Sequence, residues 1–167
     1  MYSGMRIGEI CALKWSDIDL QSGIIRISKT VQRINDKIGN SKTKIIVGSP
    51  KSRTSEREIP IPNFLVNILN ERRQNENNYI LSGTHKLIEP RTMQNRFKSV
   101  LKKCGIRNVN FHLLRHTYAT VCIENGFDAK TVSELLGHSN VNITLNRYVH
   151  SSLDTKKKYV EKLNFVA

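Results

Sequence analysis

The chain has 167 residues, 38% of them apolar, enough for one domain with a real hydrophobic core, and it lacks any apolar run long enough to span a membrane as a helix. Lysine and arginine number 27 against 14 carboxylates, a formal charge of +13 with a pI near 9.9. A polyanionic partner is therefore expected, with nucleic acid the first choice over a merely soluble basic surface.

The first predicted element runs through Gly4-Met5-Arg6-Ile7-Gly8-Glu9-Ile10-Cys11-Ala12-Leu13, where Ile7, Ile10 and Cys11 share one helical stripe. Arg6 and Glu9 lie three apart on another. Such a pair reads either as an anion clamp or as a surface ion pair worth about 0.3 to 0.5 kcal/mol. A turn at Trp15 to Asp19 leads to a strand over 23–31, then a polar loop over 33–43, and two more short strands over 44–47 and 57–61. Pro60 and Pro62 put the last strand at an edge or an end, where a missing donor does little harm.

Residues 63–75 predict an amphipathic helix with Phe64, Leu65, Ile68 and Leu69 inward. A second covers 92–104 and is expected to bury Met93, Phe97, Val100, Leu101 and Cys104, with Gly105 as its cap. Between Pro90 and Asn110 there are six cations and no carboxylate: Arg91, Arg96, Lys98, Lys102, Lys103 and Arg107. That acid-free basic face suggests a surface turned toward phosphates.

The densest stretch for chemistry is Phe111 to Tyr148. A helix over 112–125 places His112 and Arg115 three apart on one face, within reach of a single bound anion, with His116 on the next turn. The next helix covers Ala129 to Leu136, capped by Asp128 at its start and Gly137 at its end. His138 follows at once, and ten residues later comes Tyr148, a nucleophile as readily as a core residue. The tail from Ser151 puts Lys156, Lys157, Lys158 and Lys162 on one side of a predicted helix and Tyr159, Val160 and Leu163 on another.

Cys11, Cys104 and Cys122 are odd in number and at apolar helical positions, so they read as reduced core thiols of a cytoplasmic protein. The residues by themselves predict an α+β fold, mainly α, with one small three-stranded antiparallel sheet.

The order His112-x-x-Arg115, then Leu135-Leu136-Gly137-His138, then Tyr148 resembles the C-terminal signature of tyrosine recombinases, the phage-type integrases. The resemblance extends to Arg6, which stands in that family's Gly-x-Arg-x-x-Glu setting. It also extends to Pro50-Lys51-Ser52 ahead of Arg57-x-Ile59-Pro60, which aligns Lys51 with the family's hairpin lysine. Lys44 and Arg53 compete for that role. Tyr2, Tyr79, Tyr118 and Tyr159 compete for the nucleophile, but only Tyr148 has the family's spacing from Gly137-His138.

What the resemblance implies is a catalytic domain over residues 1–167, cut short at its N-terminus and without the core-binding and arm-binding domains that full-length members carry. It would cleave and rejoin double-stranded DNA through a 3′-phosphotyrosine bond, in integration or excision of a mobile element, with no cofactor, ATP or metal. Arg6 and Arg115 would grip the non-bridging phosphate oxygens, two arginines standing where other phosphoryl-transfer enzymes use a metal ion. Tyr148 would attack, His112 would take its proton, Lys51 would protonate the departing 5′ oxygen, and His138 would hydrogen-bond the phosphate. The implied partners are DNA, further protomers in a tetramer joined through the C-terminal tail, and accessory DNA-bending proteins, in the cytoplasm of a bacterium.

Two rival readings remain in the residues. His112 and His116 have the spacing of a zinc pair, but Leu113-Leu114-Arg115 supplies no glutamate and sets a cation beside the metal. Residues 128–144 read passably as a helix-turn-helix, the mark of a non-catalytic DNA-binding regulator. That second reading leaves Arg6, Lys51, His112, Arg115 and Tyr148 unrelated to one another.

Overall fold

A computed structural model describes residues 2–36, 42–50 and 52–148, with Leu153, Lys157, Val160 and Glu161 beyond them. Six helices and five short strands follow in chain order. They are α1 (Ile7–Ala12), β1 (Ile18–Asp19), β2 (Ile24–Ile27), β3 (Thr30–Asn35), β4 (Thr43–Gly48), β5 (Arg57–Pro60), α2 (Asn63–Glu71), α3 (Pro90–Lys103), α4 (His112–Glu124), α5 (Ala129–Leu136) and α6 (Val141–Tyr148). Among the described residues no helix is long and apolar enough to cross a membrane.

The fold is α+β and mainly helical, with its three-stranded antiparallel sheet in the order β1-β2-β5. The expected single strand over 23–31 is in fact two. Ile24–Ile27 pairs with β1 and β5, while Thr30 begins a separate hairpin in which β3 pairs with β4 from Thr30↔Gly48 to Asn35↔Thr43. Part of the expected polar loop is therefore strand. β5 is an edge strand, and Pro60 sits at its last position, where no ladder donor is missed.

Three apolar clusters hold these pieces. Met5, Leu13, Ile25, Ile27, Ile59 and Ile61 pack between α1 and the three-stranded sheet, with Leu65, Val66 and Leu69 of α2 closing over them. Cys11, Ala12 and Val31 join α1 to the hairpin and to Met93 of α3. Ala119, Cys122, Val132 and Leu136 join α4 to α5, and Tyr118 and Tyr148 lie against that group.

Four residues expected inside are not. Phe64 and Ile68 of α2 are 46% and 43% exposed, and Val100 of α3 is 55% exposed. Cys104 is exposed as well, whereas Cys11 and Cys122 are buried. In each helix the apolar stripe is wider than the surface the core offers it, so only its centre is covered.

Candidate active site

The site is organised around one buried carboxylate. Arg6 is the N-cap of α1 in extended conformation, and Glu9 occupies the third helical position. The Glu9 side chain accepts the Arg6 backbone N–H at 2.8 Å and an Arg6 guanidinium N–H at 2.8 Å. A carboxylate there satisfies otherwise unpaired N–H groups and faces the positive end of the helix. Glu9 is only 2% exposed.

Arg57 reaches the same carboxylate from β5, donating from Nη1 at 3.0 Å and Nη2 at 2.9 Å. Its Nε donates to the Leu135 carbonyl at 2.7 Å, and Nη1 also donates to the Ser55 carbonyl at 3.0 Å. Burial opposes ionisation of Glu9, but the hydrogen bonds and charge of Arg57, with those of Arg6, outweigh it and hold the carboxyl below its usual range.

The end of α5 is the second anchor. Asp128 caps its start, accepting the Thr131 N–H at 2.9 Å. Gly137 ends it in the left-handed region, φ 64° and ψ 49°. The Gly137 N–H bonds to the Glu134 carbonyl and the His138 N–H to the Ser133 carbonyl, which closes the helix and turns the chain sharply. The Gly137 carbonyl accepts an Arg6 N–H at 2.9 Å. The Leu135 and Gly137 carbonyls, partners a helix end leaves open, are thus taken by two guanidiniums.

His138 emerges directly from this turn. Its Nδ1 lies 2.8 Å from the hydroxyl of the fully buried Thr144 on α6. Burial, together with the charges of Arg115, Arg6, Arg147 and Arg57, pushes its pKa down to about 4. The imidazole is therefore neutral at pH 7.

Arg115 comes from α4 and is 3% exposed. Its Nη1 donates to the Gly4 carbonyl at 2.9 Å, while its Nη2 is buried with no hydrogen-bond partner among the described residues. Burial and the neighbouring Arg6 and Arg57 lower its pKa to about 9, so it remains charged at neutral pH. A buried, charged donor with nothing to bond to is costly unless an anion completes it. Gly4 holds φ 58°, and a Cβ there would lie 2.5 Å from the Tyr118 ring, so the carbonyl that steadies Arg115 depends on a residue without a side chain.

Tyr148, at the end of α6, meets α4. Its hydroxyl lies 2.5 Å from Nδ1 of His116, and the His112 ring stands edge-on to His116 with centroids 4.6 Å apart. The phenol's recorded imidazole partner is thus His116 rather than His112. Burial raises the Tyr148 pKa above its usual value, while Arg147 and Arg115 act against the rise. His112 and His116 are both held below the usual imidazole range, first by burial and then by surrounding cations.

A cavity of about 410 Å³ is walled by Arg6, Glu9, Gly137 and His138 together with Thr30, Gln32, Pro50, Ser52 and Ser55. His112, Arg115 and Tyr148 are not part of its wall. Lys51 lies outside the described residues, although its neighbours Pro50 and Ser52 line the cavity. Its competitor Lys44 pairs with Asp36 at 3.5 Å.

Among the other tyrosines, Tyr2 stacks edge-on against Phe64, Tyr79 lies under Lys14, and Tyr118 packs in the α4–α5 cluster. Tyr159 and most of the lysine-bearing tail lie outside the described residues. Arg91, Arg96, Lys98, Lys102 and Lys103 are all exposed along α3. Among the described residues, no three His, Cys, Asp or Glu side chains gather as a metal-binding group.

Four participants were not assigned a part in the site from sequence: Arg57, Gly4, Thr144 and, as the phenol's partner, His116. Arg57 carried a signal, since it is in phase with the buried Ile59 on a two-residue period. Gly4 and Thr144 carried none, because their roles are set by contacts 111 and six residues away.

The chain is similar to known proteins along its whole length. A tyrosine recombinase XerC-like protein of Caldanaerobacter subterraneus subsp. tengcongensis is 36% identical over 181 positions, covering 97% of this chain and 46% of the relative. Tyrosine recombinase XerA of Thermococcus onnurineus is 29% identical, covering 98% and 52%. The crystal structure of a XerA recombinase superposes with a TM-score of 0.65 at 26% identity, over 99% of this chain and 56% of the other. The Tn1549 transposon integrase in complex with transposon right end DNA shares the fold with a TM-score of 0.76 at 23% identity, over 98% and 56%. The chain spans about half the length of the curated relatives it matches. The sequence model of the phage integrase family matches residues 1–154, and to that family, the tyrosine recombinases, this chain belongs.

Proposed function

We propose that this chain is the catalytic domain of a site-specific recombinase that cuts and rejoins double-stranded DNA through a 3′-phosphotyrosine intermediate. The observation that carries the reading is the buried Nη2 of Arg115, which has no hydrogen-bond partner among the described residues and lies among Arg6 and Arg57 within electrostatic reach of Tyr148. A phosphodiester supplies the missing anion. Its two non-bridging oxygens are held by Arg6 and Arg115, and His138 donates to one of them from Nε2.

In the reaction the Tyr148 oxygen attacks phosphorus in line, the bond to O5′ breaks, and a 3′-phosphotyrosyl ester forms. The phenol loses its proton, and the leaving O5′ gains one from Lys51. The ester retains the energy of the broken linkage, so a second 5′ hydroxyl reverses the step without ATP. The exposed cations of α3 follow the DNA backbone outside the site. Integration or excision of a mobile element, assembly of several protomers on two duplexes through the tail, aid from DNA-bending proteins and a cytoplasmic setting complete the proposal. The DNA in the Tn1549 integrase complexes supports the choice of partner.

The test uses a pool of nicked duplexes with randomised sequence around the nick, which traps the intermediate because the released fragment diffuses away. A covalent protein–DNA adduct that survives denaturation and disappears in Tyr148→Phe is the expected result. Binding without an adduct would replace the enzyme with a DNA-binding regulator.

A further inference from the structure

We propose that His116 is a catalytic residue, the group that takes the phenolic proton when Tyr148 attacks and returns it when the phosphotyrosyl bond is resolved. The inference rests on the strand-transfer reading of the site and adds a residue to it.

Three observations support the assignment. First, the Tyr148 hydroxyl and His116 Nδ1 are in direct hydrogen-bond contact, so the phenol has a base within reach of its proton. Second, the two groups come from different helices, α4 and α6, and their meeting places the phenol at the base rather than leaving it to solvent. Third, His112 lies one turn back on α4 and turns its ring at 90° to His116, with centroids 4.6 Å apart. His112 thereby fixes the plane of the His116 ring while remaining exposed itself. It is a positioning residue for the base and keeps its own nitrogens available to the DNA.

The proton inventory is consistent with this geometry. Burial opposes a proton on the His116 ring, and the charges of Arg147 and Arg115 oppose it further. Burial likewise keeps the proton on Tyr148. In the resting state the phenol O–H therefore donates to a neutral Nδ1. As the oxygen bonds to phosphorus its acidity rises, the O–H bond breaks and the Nδ1–H bond forms. The bond from phosphorus to O5′ breaks in the same step, and O5′ is protonated by a separate group. The incoming phosphate offsets the arginines, which makes the imidazolium easier to form at the moment it is needed. On rejoining, the imidazolium gives the proton back to the Tyr148 oxygen as the phosphotyrosyl bond opens.

The test compares wild type, His116→Phe and His116→Gln on the nicked pool across pH, using DNA with an ordinary 5′ oxygen and with a 5′-bridging sulfur, a leaving group that needs no proton. Loss of the base should slow adduct formation by about 10²- to 10⁴-fold, leave the sulfur substrate equally slow, remove the acidic limb of the pH profile and permit partial rescue by added imidazole. Wild-type rates in His116→Phe, or full rescue by the sulfur substrate, overturn the proposal. An independent arm needs no DNA: with tyrosine labelled at Cζ, the Tyr148 resonance of the wild-type chain should move as His116 titrates. A Tyr148 resonance indifferent to that titration also overturns it. Failure of the wild type to form any adduct, with the titration coupling intact, counts against the strand-transfer reading instead.

Discussion

Arg57 and Glu9 meet through both terminal guanidinium nitrogens and both carboxylate oxygens, at 3.0 and 2.9 Å, with side chains only 6% and 1% exposed. The pair ties β5 to α1, and the third nitrogen of Arg57 ties both to α5. Removing one partner strands a buried charge, which costs about 3–5 kcal/mol. Arg57→Ala and Glu9→Gln should each lower unfolding free energy by that order in urea titrations. The double variant should lose less than the sum of the two, because the stranded charge is then absent.

Acid should weaken the fold in two stages. The folded His138 pKa of about 4 lies below its ordinary 6.5, so the unfolded chain binds more protons between those values. Stability is full above pH 6.5 and falls toward pH 4. Glu9 is held below the usual carboxylate range, so its share is lost only as pH drops through that range and beyond. Thermal unfolding followed from neutral to acid pH should show the first loss shrink in His138→Gln, with His112 and His116, which are lowered in the same direction, supplying the remainder, and the second loss unchanged.

An anion in the site reverses the His138 shift. Inorganic sulfate offsets Arg6, Arg57, Arg115 and Arg147, the charges that, after burial, depress the imidazole. Its pKa, read by proton–nitrogen NMR, should climb as sulfate is added. Arg115→Ala should blunt the response, since the unpartnered Nη2 is then gone.

How much of this was legible in the sequence differs by element. The boundaries of α5 were readable to the residue because Asp128 and Gly137 each do something only their side chains, or lack of one, permit. The break between β2 and β3 was not, since Ile24 to Val31 contains no Gly, Pro, Asn or Asp to mark a turn and the division is imposed by partners far along the chain. For α2 and α3, periodicity gave the inward face, but whether Phe64 and Val100 are covered depends on neighbours that spacing does not encode. His112 and Arg115 were readable from their spacing on α4, whereas the pairing of Tyr148 with His116 depends on how α6 meets α4.

Gly4 offers a sharp test of tertiary constraint. Gly4→Ala requires a left-handed backbone in a residue with a Cβ, costing about 1–3 kcal/mol, and drives that Cβ into the Tyr118 ring. The carbonyl that holds Arg115 must then shift. Adduct formation should fall further than the stability loss explains, as measured on samples shown to be folded by circular dichroism.

The cations of α3 should act on affinity alone. Lys98→Gln and Lys102→Gln should each reduce the slope of log affinity against log salt by about 1 for every phosphate contact removed, uniformly across DNA sequences. Fluorescence anisotropy with duplexes at several salt concentrations measures it.

Gly137 ends a helix, offers its carbonyl to Arg6 and leaves so little room that a Cβ would sit 3.0 Å from Arg57 Nη1 and from the Thr54 carbonyl. At Gly126, which follows α4, no atom of the described residues comes within 4 Å of the same point. Tolerance of this domain to inserted sequence is therefore lopsided. A short peptide tag grafted after α4 should be carried better than the same graft after α5, which would draw the Gly137 carbonyl away from Arg6.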